Sequence, residues 1–148
     1  MKWEIKKFRE LKLEELYEIL KIRNTVFVIE QECIYQDVDD KDKEAYHLFA
    51  MEDDKVVAYL RILGRGISYN EASIGRVLID NNYRGKGLAR ELMLKAISFV
   101  ESDLNEDTIR ISAQEYLINF YGSLGFKAVS DMYLEDDIPH VEMLYKKK

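Results

Sequence analysis

The stretch from residue 74 to residue 100 constrains the fold most, because its order of residue types predicts a strand, a glycine loop and a helix. It begins with a β-branched apolar run, passes through R-G-K-G-L-A at residues 84–89, and continues with apolar residues at helical spacing. Gly85 and Gly87 allow a tight turn and a close backbone approach to a bound group. The start of the following helix offers unpaired N–H donors and a positive dipole end. The stretch therefore predicts an anion-binding loop.

Two common nucleotide-binding loops fit this spelling poorly. A P-loop needs Ser or Thr directly after its lysine, but Gly87 follows Lys86. A dinucleotide fingerprint needs a third glycine or alanine where Arg90 stands, and an acidic residue about twenty positions later. A basic surface turn without a ligand remains the alternative for the loop taken alone.

Composition bounds the class of protein. The chain has 148 residues, of which 47% are hydrophobic and only Pro139 is proline, so we expect one ordered domain spanning residues 1–148. The formal net charge of −6 argues against a nucleic-acid partner. Cys33 is the only cysteine, which excludes an internal disulfide and a thiolate metal cluster. The charged N-terminus and the lack of a membrane-length apolar run predict a cytoplasmic protein with no membrane partner.

Periodicity predicts the order β-α-β-β-β-α-β-α-β-β, with a second helix possible after the first. A first strand at residues 3–8 is followed by a helix at residues 13–27 that gives way near Val28. The remaining predicted strands are residues 47–51, 56–63, a strand from about 73, 108–112, 126–130 and 140–145, and the remaining helices are residues 89–100 and 116–124. The letters E-D-D-K at residues 52–55 predict a tight hairpin, whereas Y-L-E-D-D-I-P at residues 133–139 is assigned to an acidic loop.

An acidic segment follows the first helix. Its carboxylates are Asp37, Asp39, Asp40, Asp42 and Glu44. One interpretation is a solvated surface loop, and the other is a negative rim that attracts an amine.

Two motifs together carry a family resemblance. R-G-K-G-L-A at residues 84–89 and N-F-Y-G-S-L-G-F at residues 119–126 resemble the cofactor loop and tyrosine helix of the GCN5-related N-acetyltransferases, abbreviated GNAT. The resemblance implies the GNAT acyl-CoA N-acyltransferase fold, an α+β fold in α/β/α layers whose mixed sheet is splayed at its centre and flanked by helices. A narrower likeness to the ElaA-like branch of small bacterial acetyltransferases covers nearly the whole chain. It rests on residues 23–39, 74–77, 113–121 and 136–140.

This resemblance implies an acetyl-CoA-dependent N-acetyltransferase that transfers an acetyl group directly to a primary amine. The acceptor is a small molecule or an exposed amino group of a peptide, and the enzyme is a monomer or a homodimer. The alternative is a catalytically weak acyl-CoA-binding regulatory module of the same fold. The resemblance assigns the pantetheine arm to the backbone of Val77, Leu78 and Ile79, and further cofactor contacts to Arg84, Gly85, Lys86, Gly87, Leu88, Ala89 and Asn119.

Tyr121 is the predicted general acid, because a phenol can protonate a departing thiolate. The base is less defined, since the strand at residues 109–112 lacks the carboxylate that many family members carry there. Candidates on the acceptor side are Glu30, Gln31 and His140, and the plain alternative for Glu30 is a salt bridge to Arg76 or Arg23.

The other reactive side chains suggest no further chemistry. His47 and His140 lack a metal-ligand spacing, so no metal is expected, and His47 is interpreted as a strand-end residue. Cys33 is expected to be a buried thiol, because direct transfer needs no covalent step.

Overall fold

A computed structural model describes residues 1–148, which form one eight-stranded mixed sheet with helices on its two faces. The strands are β1 (Lys2–Lys7), β2 (Tyr46–Glu52), β3 (Lys55–Leu63), β4 (Ala72–Ile79), β5 (Thr108–Gln114), β6 (Phe126–Ala128), β7 (Tyr133–Glu135) and β8 (Ile138–Lys146). The α-helices are α1 (Leu13–Arg23), α2 (Leu88–Ser102) and α3 (Ile118–Gly122).

The sheet opens between its two central strands. Its order is β1-β2-β3-β4-β5-β8-β6, and β7 pairs with β8. All neighbours are antiparallel except β4 and β5, which are parallel and pair only at Ala72–Ile109 and Ser73–Arg110. Beyond these pairs the two strands diverge, as the sequence predicted for a mixed and centrally splayed sheet.

Apolar residues on both faces of the sheet hold the layers together. The buried side of α2, which includes Leu92, Met93 and Ala96, packs in the larger core cluster. Ile19 of α1 packs in a smaller cluster on the other face, together with Phe49 and other residues of the sheet. No helix of the protein is long and apolar enough to cross a membrane.

The first helical region differs from its prediction in its winding. α1 is regular to Arg23 and continues as a wider π-helical segment, Asn24–Glu30. This segment is rich in β-branched residues, whose side chains crowd the preceding turn of a regular α-helix. The helical backbone therefore extends past the predicted end near Val28, and π-helical turns of this kind recur at functional sites.

The predicted acidic loop at residues 133–139 is instead a hairpin of β7 and β8. Asp136 and Asp137 form its turn with φ values of 50° and 62°. The predicted hairpin between β2 and β3 turns at Asp53 and Asp54 with φ values of 51° and 62°. Because Asp tolerates the left-handed region, the letters E-D-D specify the same turn at both places.

Candidate active site

A loop between β4 and α2 presents a row of unpaired backbone N–H groups. Gly85 and Gly87 both have a φ of 77°, a conformation that residues with a Cβ rarely adopt. The carboxylate of Asp80 fixes the entry to the loop by accepting a hydrogen bond from the N–H of Asn82 at 2.9 Å. None of the backbone N–H groups from residue 84 to residue 90 donates to a backbone carbonyl. With the positive end of α2 behind them, these donors suit an anion.

Arg84 braces this loop against two other parts of the chain. Its Nε donates to the carbonyl oxygen of Ile79 at 2.9 Å, and its Nη2 lies 3.0 Å from Oε1 of Glu30. Glu30 ends the π-helical segment, so this ion pair links the extension of α1 to the glycine loop. The salt bridge considered for Glu30 is present, but its partner is Arg84 rather than Arg76 or Arg23.

β4 carries a bulge where it separates from β5. The register to β3 shifts by one residue between the pairs Arg61–Gly75 and Tyr59–Leu78. Within the bulge Arg76 has a φ of 54°, which is uncommon for a residue other than glycine. A bulge interrupts the ladder of backbone hydrogen bonds, so β4 has polar groups available at the gap in the sheet.

The side chains just beyond the bulge are mostly occupied by packing. Leu78 is buried in the cluster beneath α1, and Ile79 is buried in the cluster beneath α2. Val77 is half-buried and lines the gap. Leu78 and Ile79 pair with β3 on one side, and neither pairs with β5 on the side of the gap.

The gap leads into a cavity of about 410 Å³. Its walls come from the segment after α1, from β3, β4 and β5, from α3, and from the β7–β8 hairpin. Polar lining residues include Gln31, Tyr35, Gln36, Tyr69, Ser112, Gln114, Tyr121, Glu135 and His140, and apolar ones include Phe27, Leu63, Ile74, Val77, Ile111, Leu117 and Ile138. A concave site of this size with convergent polar groups suits a small ligand.

Tyr121 enters the cavity wall from α3 and is only 6% exposed. Its ring packs edge-on against Phe120 and Phe126, with centroid distances of 5.1 and 6.0 Å. Burial raises the pKa of Tyr121 to about 12. The phenol is therefore protonated throughout the neutral pH range and available as a proton donor.

The other predicted side chains lie on the loop, on the exposed side of α3, or in the cavity. Lys86 is exposed on the loop, and its Nζ lies 5.6 Å from the ring centroid of Tyr83. Asn119 is exposed on α3. Gln31 and His140 line the same cavity as Tyr121, so the fold brings them together from distant parts of the sequence.

The acidic segment is solvated only in part: Asp40 and Glu44 are exposed, but its other three carboxylates are buried or half-buried, so neither interpretation holds for the whole segment. Three of its carboxylates form ion pairs with three arginines. The pairs are Arg23–Asp37 (2.9 Å), Arg23–Asp42 (2.7 Å), Arg61–Asp39 (2.6 Å), Arg61–Asp42 (3.0 Å) and Arg76–Asp37 (2.8 Å). We call these six residues the arginine–aspartate cluster. Its formal charges cancel, so it is a scaffold rather than an attractive surface.

Three members of the cluster, Asp39, Arg61 and Arg76, also line the cavity. Although burial opposes it, hydrogen bonds from the arginines hold the pKa of Asp39 and of Asp42 below its usual value. Arg76, the residue with the strained backbone in the β4 bulge, also donates from Nη2 to the carbonyl oxygen of Asp37 at 2.9 Å. The cluster thus stabilises the bulge that opens β4.

His47 is a buried structural residue of β2. Its Nε2 lies 2.9 Å from the carbonyl oxygen of Asp42, and its Nδ1 lies 2.6 Å from the hydroxyl of Tyr59. Because a carbonyl can only accept, Nε2 carries the hydrogen and Nδ1 accepts from the tyrosine. Burial lowers the pKa of His47.

Cys33 is half-buried at the cavity rather than buried, as was expected. Its Sγ lies 3.2 Å from the carbonyl oxygen of Asp136. Partial desolvation, with the nearby Asp136 and Asp137, raises the pKa of Cys33. The side chain is therefore a thiol at neutral pH and a poor nucleophile.

Glu135 and Ser112 are among the polar residues of the cavity that the sequence analysis did not identify. Oε1 of Glu135 lies 3.3 Å from Oγ of Ser112, and Oε2 lies 3.4 Å from Nε2 of His140. The repeated letters E-D-D were the available signal, since a hairpin turning at residues 136–137 brings the strand that carries Glu135 beside the strand that carries His140.

Comparisons with known proteins agree on one family. The model of the acetyltransferase (GNAT) domain matches residues 11–147. A UPF0039 protein of Schizosaccharomyces pombe is 42% identical over 140 residues, which cover 93% of this chain and 92% of the relative. Among solved structures, an acyl-CoA N-acyltransferase from Pseudomonas aeruginosa is 40% identical with a TM-score of 0.92, covering 98% of this chain and 99% of that one. Escherichia coli ElaA is 35% identical with a TM-score of 0.92, covering 99% and 100%.

Proposed function

Because this chain belongs to the GNAT acetyltransferase family, and to its ElaA-like branch, we propose that it transfers an acetyl group from acetyl-CoA to a primary amine. The acceptor is a small molecule or an exposed amino group of a peptide. One observation carries the proposal: the loop of free backbone donors follows the end of β4 that has parted from β5, and the cavity with the protonated tyrosine is lined by both of these strands. The Pseudomonas aeruginosa relative, an acyl-CoA N-acyltransferase, supports the donor class.

The glycine loop holds the pyrophosphate of coenzyme A. The backbone N–H groups of residues 84–89 are the donors, and Arg84 and Lys86 add positive charge. The backbone of residues 77–79 binds the pantetheine arm as an added strand, and one of its N–H groups polarises the thioester carbonyl. Asn119, exposed on the helix of Tyr121, supplies a further polar contact to the donor.

Tyr121 gives a proton to the departing thiolate. Its pKa of about 12 lies above the reference value of about 8.5 for a thiol. The same apolar surroundings that raise the pKa of the phenol also raise that of a thiol formed beside it, which reduces the mismatch. Thioester bond cleavage is thus coupled to proton transfer inside the closed end of the cavity.

The acyl donor is tested by calorimetry with acetyl-CoA and, separately, with NAD. We expect binding of acetyl-CoA and none of NAD, because the loop lacks the dinucleotide spelling. Binding of NAD alone would contradict the proposal.

The acyl transfer is tested by following thiol release from acetyl-CoA with a panel of primary amines. Turnover with one amine well above the rate without amine supports the enzyme. Binding of acetyl-CoA without amine-dependent turnover would favour the regulatory module, for which the absence of a carboxylate at residues 109–112 of β5 is the supporting observation.

The role of Tyr121 is tested by Tyr121→Phe. Turnover should fall by about 10²–10⁴-fold, the usual contribution of a positioned acid, while acetyl-CoA affinity is retained. Tyr116→Phe is the matched control, because Tyr116 is 76% exposed on the segment just before α3. Equal turnover of the two variants would remove Tyr121 from this role.

A further inference from the structure

The hydrogen bonds of His140 fix which of its ring nitrogens can act as a base. Nδ1 lies 2.6 Å from the carbonyl oxygen of Ile138. A carbonyl only accepts, so Nδ1 carries the hydrogen of the neutral ring and Nε2 carries the lone pair. This tautomer is the opposite of the one in His47, whose Nε2 donates to a carbonyl. In the neutral ring the lone pair of His140 is therefore on Nε2, whereas that of His47 is on Nδ1 and accepts from the hydroxyl of Tyr59.

Nε2 of His140 faces a carboxylate at the cavity. Oε2 of Glu135 is 3.4 Å from Nε2 of His140, and the Glu135 side chain is half exposed. A carboxylate opposite the lone pair stabilises the ring once it has taken up a proton. The contact links β7 to β8, where Tyr133 and His140 are register partners.

Glu135 is itself held by the strand that lacks a carboxylate. Ser112 of β5 donates to Oε1 of Glu135 at 3.3 Å and is also hydrogen-bonded to the hydroxyl of Tyr133. The ring of Tyr133 stacks on that of His140 with a centroid distance of 6.1 Å. The β7–β8 hairpin thus places the carboxylate of Glu135 beside β5, a strand that contains no acidic residue of its own.

We propose that Nε2 of His140 is the base that deprotonates the acceptor amine, and that Glu135 is the residue that positions and supports it. This inference rests on the proposed function. Nearly all primary alkylamines are protonated at neutral pH and cannot attack a thioester until they lose that proton. His140 and Tyr121 line the same cavity, so the base and the acid serve one acceptor site.

In the proposed reaction, each proton that one group loses is taken up by another group. The ammonium form of the acceptor gives one proton to Nε2 of His140 and becomes a neutral amine. Its nitrogen then forms a bond to the acetyl carbon, and the bond from that carbon to sulfur breaks. The sulfur takes the proton of Tyr121, and the phenolate takes the excess proton from the new amide nitrogen. His140 returns its proton to water past the half-exposed Glu135.

Other ionisable groups surround the imidazole and enter any pH profile. Tyr133 and Glu135 belong to β7, and Asp136 and Asp137 form the hairpin turn. Across the turn Cys33 contacts the backbone of Asp136. Tyr69 and Tyr121 line the same cavity, and the pair Arg110–Glu142 lies farther along β5 and β8. Glu135 is the only carboxylate among them paired with the imidazole.

The first experiment compares His140→Asn with the wild type on two probe amines, benzylamine and aniline, at neutral pH with acetyl-CoA. Asn retains an N–H near the position of Nδ1 but has no counterpart of Nε2. Benzylamine is protonated at this pH, whereas aniline is already neutral. We expect kcat/KM for benzylamine to fall by about 10²–10⁴-fold and that for aniline to change little.

The outcomes separate the two proposals. An equal fall on both amines would show a structural role, and no fall on either would remove His140 from the reaction, so both would overturn this inference alone. A wild type that acetylates neither these two amines nor any member of the wider panel would overturn the proposed function, and this inference with it.

The tautomers can be tested without turnover. At a pH where both rings are neutral, nitrogen NMR of the two histidines should show the hydrogen of His140 on Nδ1 and that of His47 on Nε2. The role of Glu135 is tested by Glu135→Gln, which should lower kcat/KM for benzylamine more than that for aniline, and Glu135→Asp should restore part of the loss. Glu52→Gln, at the matching position of the other E-D-D hairpin, is the control. A hydrogen on Nε2 of neutral His140, or an equal change on both amines in Glu135→Gln, would overturn the proposal.

Discussion

The glycine loop and the cavity are constructed in opposite ways. We call the loop, residues 84–90, the donor loop and the cavity the acceptor cavity, after the roles proposed for them. The loop consists of consecutive residues and offers a ligand backbone N–H groups, which the substitution of a side chain leaves in place. The cavity uses side chains from residue 27 to residue 140, each placed by a different element. A site made of consecutive backbone groups can be predicted from a local sequence motif. A site made of side chains from several elements cannot, because it depends on how distant segments pack.

The largest expected effect tests how strongly the buried ion pairs of the arginine–aspartate cluster stabilise the folded protein. Arg23 is fully buried and pairs with Asp37 and Asp42. Arg23→Met leaves these carboxylates without their main partner, which costs about 3–5 kcal/mol of unfolding free energy. Urea denaturation at pH 7 measures the loss.

A matched variant on the surface separates the loss of a buried ion pair from the loss of charge. Arg9 is exposed and forms no ion pair, so Arg9→Met should change the unfolding free energy by less than about 0.5 kcal/mol. In addition, Asp42→Asn combined with Arg23→Met should recover part of the stability. A loss below about 1 kcal/mol in Arg23→Met would contradict the importance of the cluster.

Lowering the pH is a second way to distinguish the arginine–aspartate cluster from the donor loop. The pKa values of Asp39 and Asp42 are held down in the folded protein, so their stabilisation is present above their unfolded pKa and is lost as the pH falls below it. His47, whose folded pKa is lowered by burial, also destabilises the fold as the pH falls. Each carboxylate contributes a slope of up to about 1.4 kcal/mol per pH unit.

Measurements of the unfolding free energy between pH 7 and pH 3 test whether this stabilisation is lost as the pH falls. The difference in stability between wild type and Asp39→Asn should shrink as the pH falls below the unfolded pKa of Asp39, because the unfolded wild type then takes up a proton that the folded protein, with its lowered pKa, does not. Glu30→Gln, at the ion pair of the donor loop, should leave the acid slope nearly unchanged. A constant difference between wild type and Asp39→Asn down to pH 3 would disprove the linkage.

Much of the fold follows from periodicity and turn chemistry, and the exceptions have physical causes. The strand–loop–helix unit around β4 and α2 is local, and its apolar spacing and glycines specify it directly. The bulge at Arg76 is not local, because Arg76 forms an ion pair with Asp37, which is distant from it in the sequence. The period of a strand or helix cannot reveal such a partner.

The same contrast between local patterns and distant contacts applies to the candidate site. Tyr121 and the loop residues were identified from motif spelling, and their roles stay proposals. Glu135 was missed because it belongs to a strand of three residues, too short for alternation to be visible. The acidic segment was misread because the sequence shows its carboxylates but not Arg61 and Arg76, which approach from other strands.

A smaller effect is expected from the backbone of the donor loop. Gly87 has a φ of 77° and an added Cβ would meet no protein atom within 4 Å, so strain rather than a clash decides the result. Gly87→Ala should cost about 1–2 kcal/mol of unfolding free energy. Gly122→Ala, in α3 without a positive φ, should be neutral or stabilising by up to about 1 kcal/mol. Equal effects of the two substitutions would contradict the assigned strain.

The smallest expected effect tests whether the donor loop binds through its backbone or through its charges. Lys86 is exposed and has no carboxylate partner, so Lys86→Met removes one solvated charge and leaves every N–H group in place. We expect acetyl-CoA affinity to fall by about 0.3–1 kcal/mol, roughly two- to fivefold in Kd, and the difference to shrink with added salt. Calorimetry at two salt concentrations measures it, with Lys95→Met on the exposed side of α2 as the control. A fall in acetyl-CoA affinity of a hundredfold or more would mean that the Lys86 side chain provides most of the binding. The donor loop, like the acceptor cavity, would then depend on its side chains.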